Sequence, residues 1–283
     1  MGVTTYDSTA AAFRPEAAHD YELSILTGMD SFAYIIRDRN TNQLLAYRSL
    51  SLPAVAPTDW AAQLADLMDA DERLRDVHRY GKVLLGWDTP ALTLIPDALF
   101  APEQLRSYLE QLTVVGLEDE VRYEHYPELG GAVIYGGRQE QLAEAQRLFG
   151  SDRLQHYAGG LLVAWAARSR RLRESAVACC VRDRRLFLAG HHAGQLVYFN
   201  TFTWESSQDA VYYLLLAYAQ SELTPDAAPL YLSGEVSSTD ELYYQFYRYV
   251  RELHWSAYPT PPAPAPGLEA LPGHLYFDLL CLS

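Results

Sequence analysis

The run Tyr21-Glu22-Leu23-Ser24-Ile25-Leu26-Thr27, the turn Gly28-Met29-Asp30-Ser31 and the run Phe32-Ala33-Tyr34-Ile35-Ile36-Arg37-Asp38 read as two strands joined by turn chemistry. Asn40-Thr41-Asn42 then turns the chain into a third run, Gln43 to Leu50, which completes an antiparallel meander. Pro53 and Pro57 break the chain, and Thr58-Asp59 offers an N-cap before Trp60, Leu64, Leu67 and Met68, an apolar stripe at helical spacing. Lys82 to Trp87 follows as a short buried strand containing Gly86. The same order returns later in the chain. Ser175–Arg182, Arg185–Ala189 and Gln195–Trp204 make a second meander with turns at Asp183-Arg184 and Gly190 to Gly194. Ser206 or Ser207 caps a helix carrying Val211, Leu214, Leu215 and Tyr218, and Pro229–Ser233 is a strand ending at Gly234. The turn aspartates Asp30 and Asp183 lie 153 residues apart, the helix-start Asp59 and Asp209 150, and the strand-end Gly86 and Gly234 148. So small a drift means short loop deletions. One lobe built twice and packed around a shared crevice is the architecture this repeat predicts.

Between the two copies, Leu92–Ile95 reads as a strand, Pro102-Glu103 opens a helix through Leu112, and Gly131–Tyr135 is another strand. Arg138–Phe149 and Ala158–Leu172 read as helices, the second closing the first lobe. The chain therefore divides into an N-terminal tail (1–20), a first lobe (21–172) with an insertion around 88–135, and a second lobe (173–283). Within the second lobe, Thr239 or Asp240 caps a helix bearing Leu242, Phe246 and Val250. Pro259 to Gly267 is too rich in proline for a helix or a central strand. It reads as a stiff surface connection, with a polyproline ligand as the alternative. His274 to Leu282 returns as a last strand or helix of the second lobe.

Composition narrows the function classes. The 283 residues are 49% hydrophobic, enough for two lobes with their own cores. A net charge of -14, with 22 scattered basic residues, offers no footprint for phosphate backbones, which argues against nucleic acid and anionic membrane as partners. The first twenty residues hold no apolar stretch of signal-peptide length, and no window approaches 18 uninterrupted apolar residues, so a cytoplasmic protein without membrane insertion is expected. Cys179 and Cys180 are adjacent, pointing to opposite faces of one strand, and Cys281 stands alone near the end, so no disulfide framework is expected.

A three-strand meander, helix, strand, helix and strand, stated twice, resembles the lobe of the actin-like ATPase superfamily, whose members include actin, sugar kinases, the cell-division protein FtsA and the pilus protein PilM. Three runs narrow the likeness: Thr93-Leu94-Ile95-Pro96 with Leu99-Phe100, Phe199-Asn200-Thr201-Phe202 with Gln208-Asp209 and Tyr212-Tyr213, and Leu232-Ser233-Gly234-Glu235 with Leu242-Tyr243. They look like a bacterial family of unknown function, domain of unknown function 3822. The resemblance implies an α/β, two-lobed, duplicated actin-like (ribonuclease H-like) fold with mixed sheets flanked by helices. It also implies where a nucleotide with magnesium would sit: two glycine-rich hairpin turns beside aspartates for the phosphates, and a Gly-Gly pair for adenosine. The corresponding positions here are Gly28, Asp30 and Ser31 in the first turn, Asp183 in the second, and Ser233 and Gly234 at the strand end.

The match at those positions is thin. The first turn holds one glycine, placed before its aspartate, and the second, Asp183-Arg184-Arg185, holds none and sets two cations where a phosphate loop should be open. In a bland reading Asp30 and Asp183 are exposed hairpin residues and Gly234 is a strand-to-helix turn. His191-His192 lacks partners at metal-ligand spacing, and no metal site is expected. Glu118-Asp119-Glu120 reads as a solvated acidic turn, and the chain has no Gly-x-Ser-x-Gly, Walker or His-Glu-x-x-His motif. Twenty-one tyrosines include Tyr243, Tyr244 and Tyr247, which fall beside the Leu242, Phe246 and Val250 stripe and suit a partner surface or a lobe boundary. The expected function is a non-catalytic scaffold or protein-interaction module with degenerate phosphate loops, an unidentified protein partner and no cofactor. The alternative is a nucleotide-dependent ATPase or kinase with divergent loops, which requires Asp30 and Asp183 to face each other across room for a triphosphate.

Overall fold

A computed structural model describes residues 3–53, 55–56, 58–151 and 154–282; Pro57 lies outside them. The first lobe runs β1 (Val3–Thr9), β2 (Tyr21–Gly28), β3 (Ser31–Asp38), β4 (Gln43–Ser51), α1 (Trp60–Ala70) and β5 (Lys82–Asp88). An inserted subdomain follows, with β6 (Leu92–Pro96), α2 (Leu105–Glu110), β7 (Asp119–Tyr126) and β8 (Gly131–Arg138). The lobe closes with α3 (Gln139–Phe149), β9 (Leu154–His156) and α4 (Tyr157–Leu172). The second lobe runs β10 (Ala176–Arg182), β11 (Arg185–His192), β12 (Gln195–Thr203), α5 (Ser207–Gln220), β13 (Leu230–Gly234), α6 (Glu241–Tyr249) and β14 (Leu253–Trp255). The chain ends with β15 (Ala263–Pro264) and the short α7 (Phe277–Leu280).

The duplication is visible in strand order. The first sheet is β1-β4-β3-β2-β5-β9 and the second β12-β11-β10-β13-β14, so that in both the meander is followed outward by two parallel strands. In the first lobe Leu26 stands beside Gly86; in the second Cys180 stands beside Ser233. Aligned on the hairpin turns, Gly86 thus matches Ser233, Trp87 matches Gly234 and Asp88 matches Glu235. The sequence pairing of Gly86 with Gly234 slips by one residue, because the glycines serve different neighbours in the two lobes.

Both faces of the central strands are covered, which explains their unbroken apolar runs. Every residue of β2 is buried, as is every residue of β10. The α1 stripe places Trp60, Leu64 and Met68 in the core, where Trp60 meets Trp87 edge to face with ring centroids 5.8 Å apart. Cys179 enters the smaller core of the second lobe and Cys180 the larger core, on opposite faces of β10, and all three cysteines are free and buried. That larger core runs from the first lobe through Phe187 and Ala189 of β11 to Leu279, so the lobes share it.

Several expectations are corrected. The segment read as a tail contains β1, an edge strand antiparallel to β4, and Phe13 and Ala18 are buried beyond it. Asp59 precedes α1 without a side-chain cap, whereas Ser206 caps α5 in a full capping box with Asp209. Asp119-Glu120 begins β7, whose charges alternate with Val121 and Tyr123 on a half-exposed edge. The proline-rich stretch crosses to the first lobe, where β15 pairs in parallel with Gln43 and Leu44; Pro264 needs no partner for a missing N–H at an edge. Finally, α7 packs against β2, α4 and β13, wedged between the lobes.

Candidate functional site

The two hairpin turns meet at the mouth of the crevice between the lobes. In the first, Gly28 has to be small because β5 runs alongside: a Cβ there would stand 2.4 Å from the Asp88 carbonyl oxygen. The Gly28 carbonyl accepts the Trp60 indole N–H at 2.9 Å. Ser31 is buried and donates to Asp88 Oδ2 at 2.7 Å. In the second turn, Asp183 has φ of +50° and is half-buried. Burial, with Asp30 and Glu235 nearby, pushes its carboxyl above the usual range against the pull of the Arg184 amide and Arg185.

Arg182 and Arg185 reach into this region, and a cavity of about 330 Å³ lined by Asp30, Asp88 and Arg185 remains beside it. They are cross-strand partners at the end of the β10–β11 hairpin and so share a face. Arg185 reaches out of its own lobe. Its Nη2 lies 2.5 Å from Asp88 Oδ2, and its Nη1 and Nη2 each donate to Asp30 at 3.2 Å. Arg182 lies deeper, 1% exposed, with Nε 2.7 Å and Nη2 2.6 Å from Asp278 Oδ2 and Nη1 3.0 Å from Glu235 Oε1. Ser49 of the first lobe donates to the same Glu235 oxygen. Asp278 sits on α7, fully buried, where desolvation raises its carboxyl while Arg182 draws it down. Desolvation opposes both guanidinium charges, yet Asp278 and Glu235 hold Arg182, and Asp88 holds Arg185, above the ordinary arginine range.

The lobe repeat gives this cluster its symmetry. Asp88 and Glu235 occupy matching positions, and each receives one of the two arginines. Four carboxylates, Asp30, Asp88, Glu235 and Asp278, therefore surround two guanidiniums, and the cluster carries excess negative charge. Next to it, a cavity of about 520 Å³ on the second lobe is lined by Asp183, Glu205, Glu235, Asp240 and Glu241, with Trp204. Among the described residues no group of three or more His, Cys, Asp or Glu side chains is arranged to hold a metal.

Of the residues singled out from sequence, Gly28, Asp30, Ser31 and Asp183 come together at the crevice mouth. Ser233 does not: fully buried, it donates to the Cys179 carbonyl at 3.3 Å inside its own sheet. Gly234 has φ of +87°, and a Cβ would fall 2.0 Å from the Val181 carbonyl, so its small size serves β10. Sequence reading placed cations at the second turn but named Arg184, which is exposed, together with Arg185; it missed Arg182, Asp88, Glu235 and Asp278. Isolated acids inside apolar runs, as in Gly86-Trp87-Asp88 and Phe277-Asp278-Leu279, were the available signal.

Two duplicated lobes of this topology around a central crevice define an actin-like ATPase fold. The chain belongs to the family described as "Protein of unknown function (DUF3822)", whose profile matches residues 10–253. Among solved structures it is similar to a Bacteroides thetaiotaomicron protein with actin-like ATPase fold and unknown function, at 18% identity and a TM-score of 0.74 over 87% of this chain and 94% of that one. It is also similar to a chain of the PilM-PilN type IV pilus biogenesis complex, at 16% identity and a TM-score of 0.54 over 92% and 97%. Comparison with curated proteins yields no match. Among the described residues no helix is long and apolar enough to cross a membrane.

Proposed function

We propose that this protein is a non-catalytic member of the actin-like fold, a protein-interaction module whose nucleotide crevice is closed by its own arginines. The observation that carries the reading is Arg185, which joins Asp30 and Asp88 of the opposite lobe where the phosphates of a nucleotide would need room. A triphosphate entering there has to displace paired guanidiniums and approach carboxylates in excess, and each effect disfavours it. The first turn holds one glycine and the second none, so neither matches the glycine-rich loops whose backbone N–H groups cradle phosphates.

The partner half of the reading rests on surface composition. Tyr244 and Tyr247 on α6 are 61% and 59% exposed, and Tyr212 on α5 is 63% exposed, while Leu242 and Phe246 face the core. Exposed tyrosines of this density are characteristic of contact surfaces. The fold likeness to a component of the PilM-PilN complex agrees with a role in assembly. The test is phosphate release from Mg-ATP by the purified chain. Release no faster than in buffer is expected; sustained turnover abolished by Asp88→Asn would sink the proposal.

A further inference from the structure

The helices α5 and α6 begin side by side, where the Ser207 hydroxyl donates to Glu241 Oε1 at 2.8 Å. At this shared end opens the cavity of about 520 Å³ that borders the arginine cluster. Carboxylates line it, and no lysine, arginine or histidine does. Glu235 is engaged by Arg182, whereas Asp183, Glu205, Asp240 and Glu241 form no ion pair among the described residues. Capping accounts for part of this charge, since Asp240 accepts the Ser237 N–H at 2.7 Å and Glu241 the Ser207 hydroxyl. It does not account for Asp183 or Glu205, which stand outside both helices.

Exposed tyrosines continue the same face. Tyr212 follows Gln208 of the cavity wall by one turn of α5, and Tyr244 and Tyr247 follow Glu241 along α6, while Leu242 and Phe246 are buried on its other side. Arg248 stands one turn beyond Tyr244, away from the carboxylates. At 1.5 Å of rise per residue, Glu241 to Tyr247 spans about 9 Å, more than a single bound ion needs.

Resting on the protein-interaction reading above, we propose that this face of α5 and α6 docks an extended, arginine-bearing segment of a partner protein, with guanidiniums against the cavity carboxylates and over the tyrosine rings. Arginine suits both halves of the surface: its fork pairs with carboxylates and its plane stacks on tyrosine. Carboxylates gathered without cations also steer a basic segment toward this end of the lobe.

Short labelled peptides of equal length, in which glycine alternates with arginine, lysine or glutamate, provide the probes, read by fluorescence anisotropy on the full chain at physiological salt. One saturable site is expected for the arginine peptide, with the lysine peptide about threefold weaker and the glutamate peptide unbound. Glu205→Gln/Glu241→Gln and Tyr212→Ala/Tyr244→Ala are each expected to weaken the arginine peptide about fivefold or more. Glu103→Gln/Glu140→Gln, an equal charge change at exposed acids of the first lobe, should leave it within about twofold. All six positions are exposed, and the melting temperatures of the variants report that they fold. An equal loss in the first-lobe pair would mark attraction to net charge alone and overturn the proposal. So would absence of saturable binding, equal binding of the lysine peptide, spermine binding as tightly as the arginine peptide, or indifference to either second-lobe pair. ATP turnover, which decides the protein-interaction reading, is measured separately, so a chain that neither turns over ATP nor binds the peptide refutes the docking inference alone.

Discussion

Replacing Arg182 by methionine removes the cation paired with Asp278 and, among the described residues, leaves a fully buried carboxylate without a charged partner. Breaking a buried pair from one side costs about 3–5 kcal/mol, because the orphaned charge keeps its desolvation penalty. For 283 residues the unfolding entropy is about 0.6 kcal/mol/K, so the melting temperature should fall by about 5–8 °C. The loss also has a pH signature. Burial already raises Asp278, and without Arg182 it rises further; protonation then relieves the orphan, so Arg182→Met should cost less at pH 5.5 than at pH 8. Differential scanning calorimetry of Arg182→Met, Asp278→Asn and the double variant decides the matter. The double variant removes charge from both partners and should recover at least half of the Arg182→Met loss. A melting temperature for Arg182→Met within a degree of the parent, or a double variant as damaged as the two single losses added together, would refute the claim that Arg182 compensates a buried Asp278 charge.

Other outcomes follow from single residues. His156 and His191 are buried and pulled down to about 4 by desolvation, so each is neutral in the folded chain yet protonates readily when unfolded. Stability should therefore fall as pH drops below 6.5 toward 4, by about 2 kcal/mol per histidine at pH 5, and His156→Gln should flatten the slope of urea midpoint against pH. Gly234→Ala forces a Cβ into the Val181 carbonyl at a left-handed backbone position and should cost more than about 1 kcal/mol in urea unfolding. Ser206→Ala removes one half of the α5 capping box and should cost about 1 kcal/mol. Burial raises the Cys179, Cys180 and Cys281 thiols, so all three should react with a thiol reagent only after unfolding, as a time course in and out of urea would show.

The fold was legible because the two meanders, the α1 and α5 stripes and the strand-end glycines are local patterns repeated in order. What failed was local too weakly to register. The three-residue β9 and β14 have no periodicity of their own, and β1 and β15 exist only because β4 offers them an edge. The site was legible by half. Asp30 and Asp183 can each be placed in a hairpin turn, although the strand register matches Asp30 to Arg184 and Asp183 to Met29, but the ion pairs join positions up to 155 residues apart in sequence, as between Asp30 and Arg185. A glycine's purpose is hidden in the same way: Gly28 and Gly234 looked like room for a ligand, and each makes room for a neighbouring strand.

The claim that the crevice is closed by Arg185 is tested most directly by titration calorimetry of Mg-ATP into the parent chain and into Arg185→Ser. No saturable heat up to millimolar Mg-ATP is predicted for the parent. Saturable Mg-ATP binding by the parent, equal in the variant, would show that Arg185 does not occupy the nucleotide's place and would contradict the account.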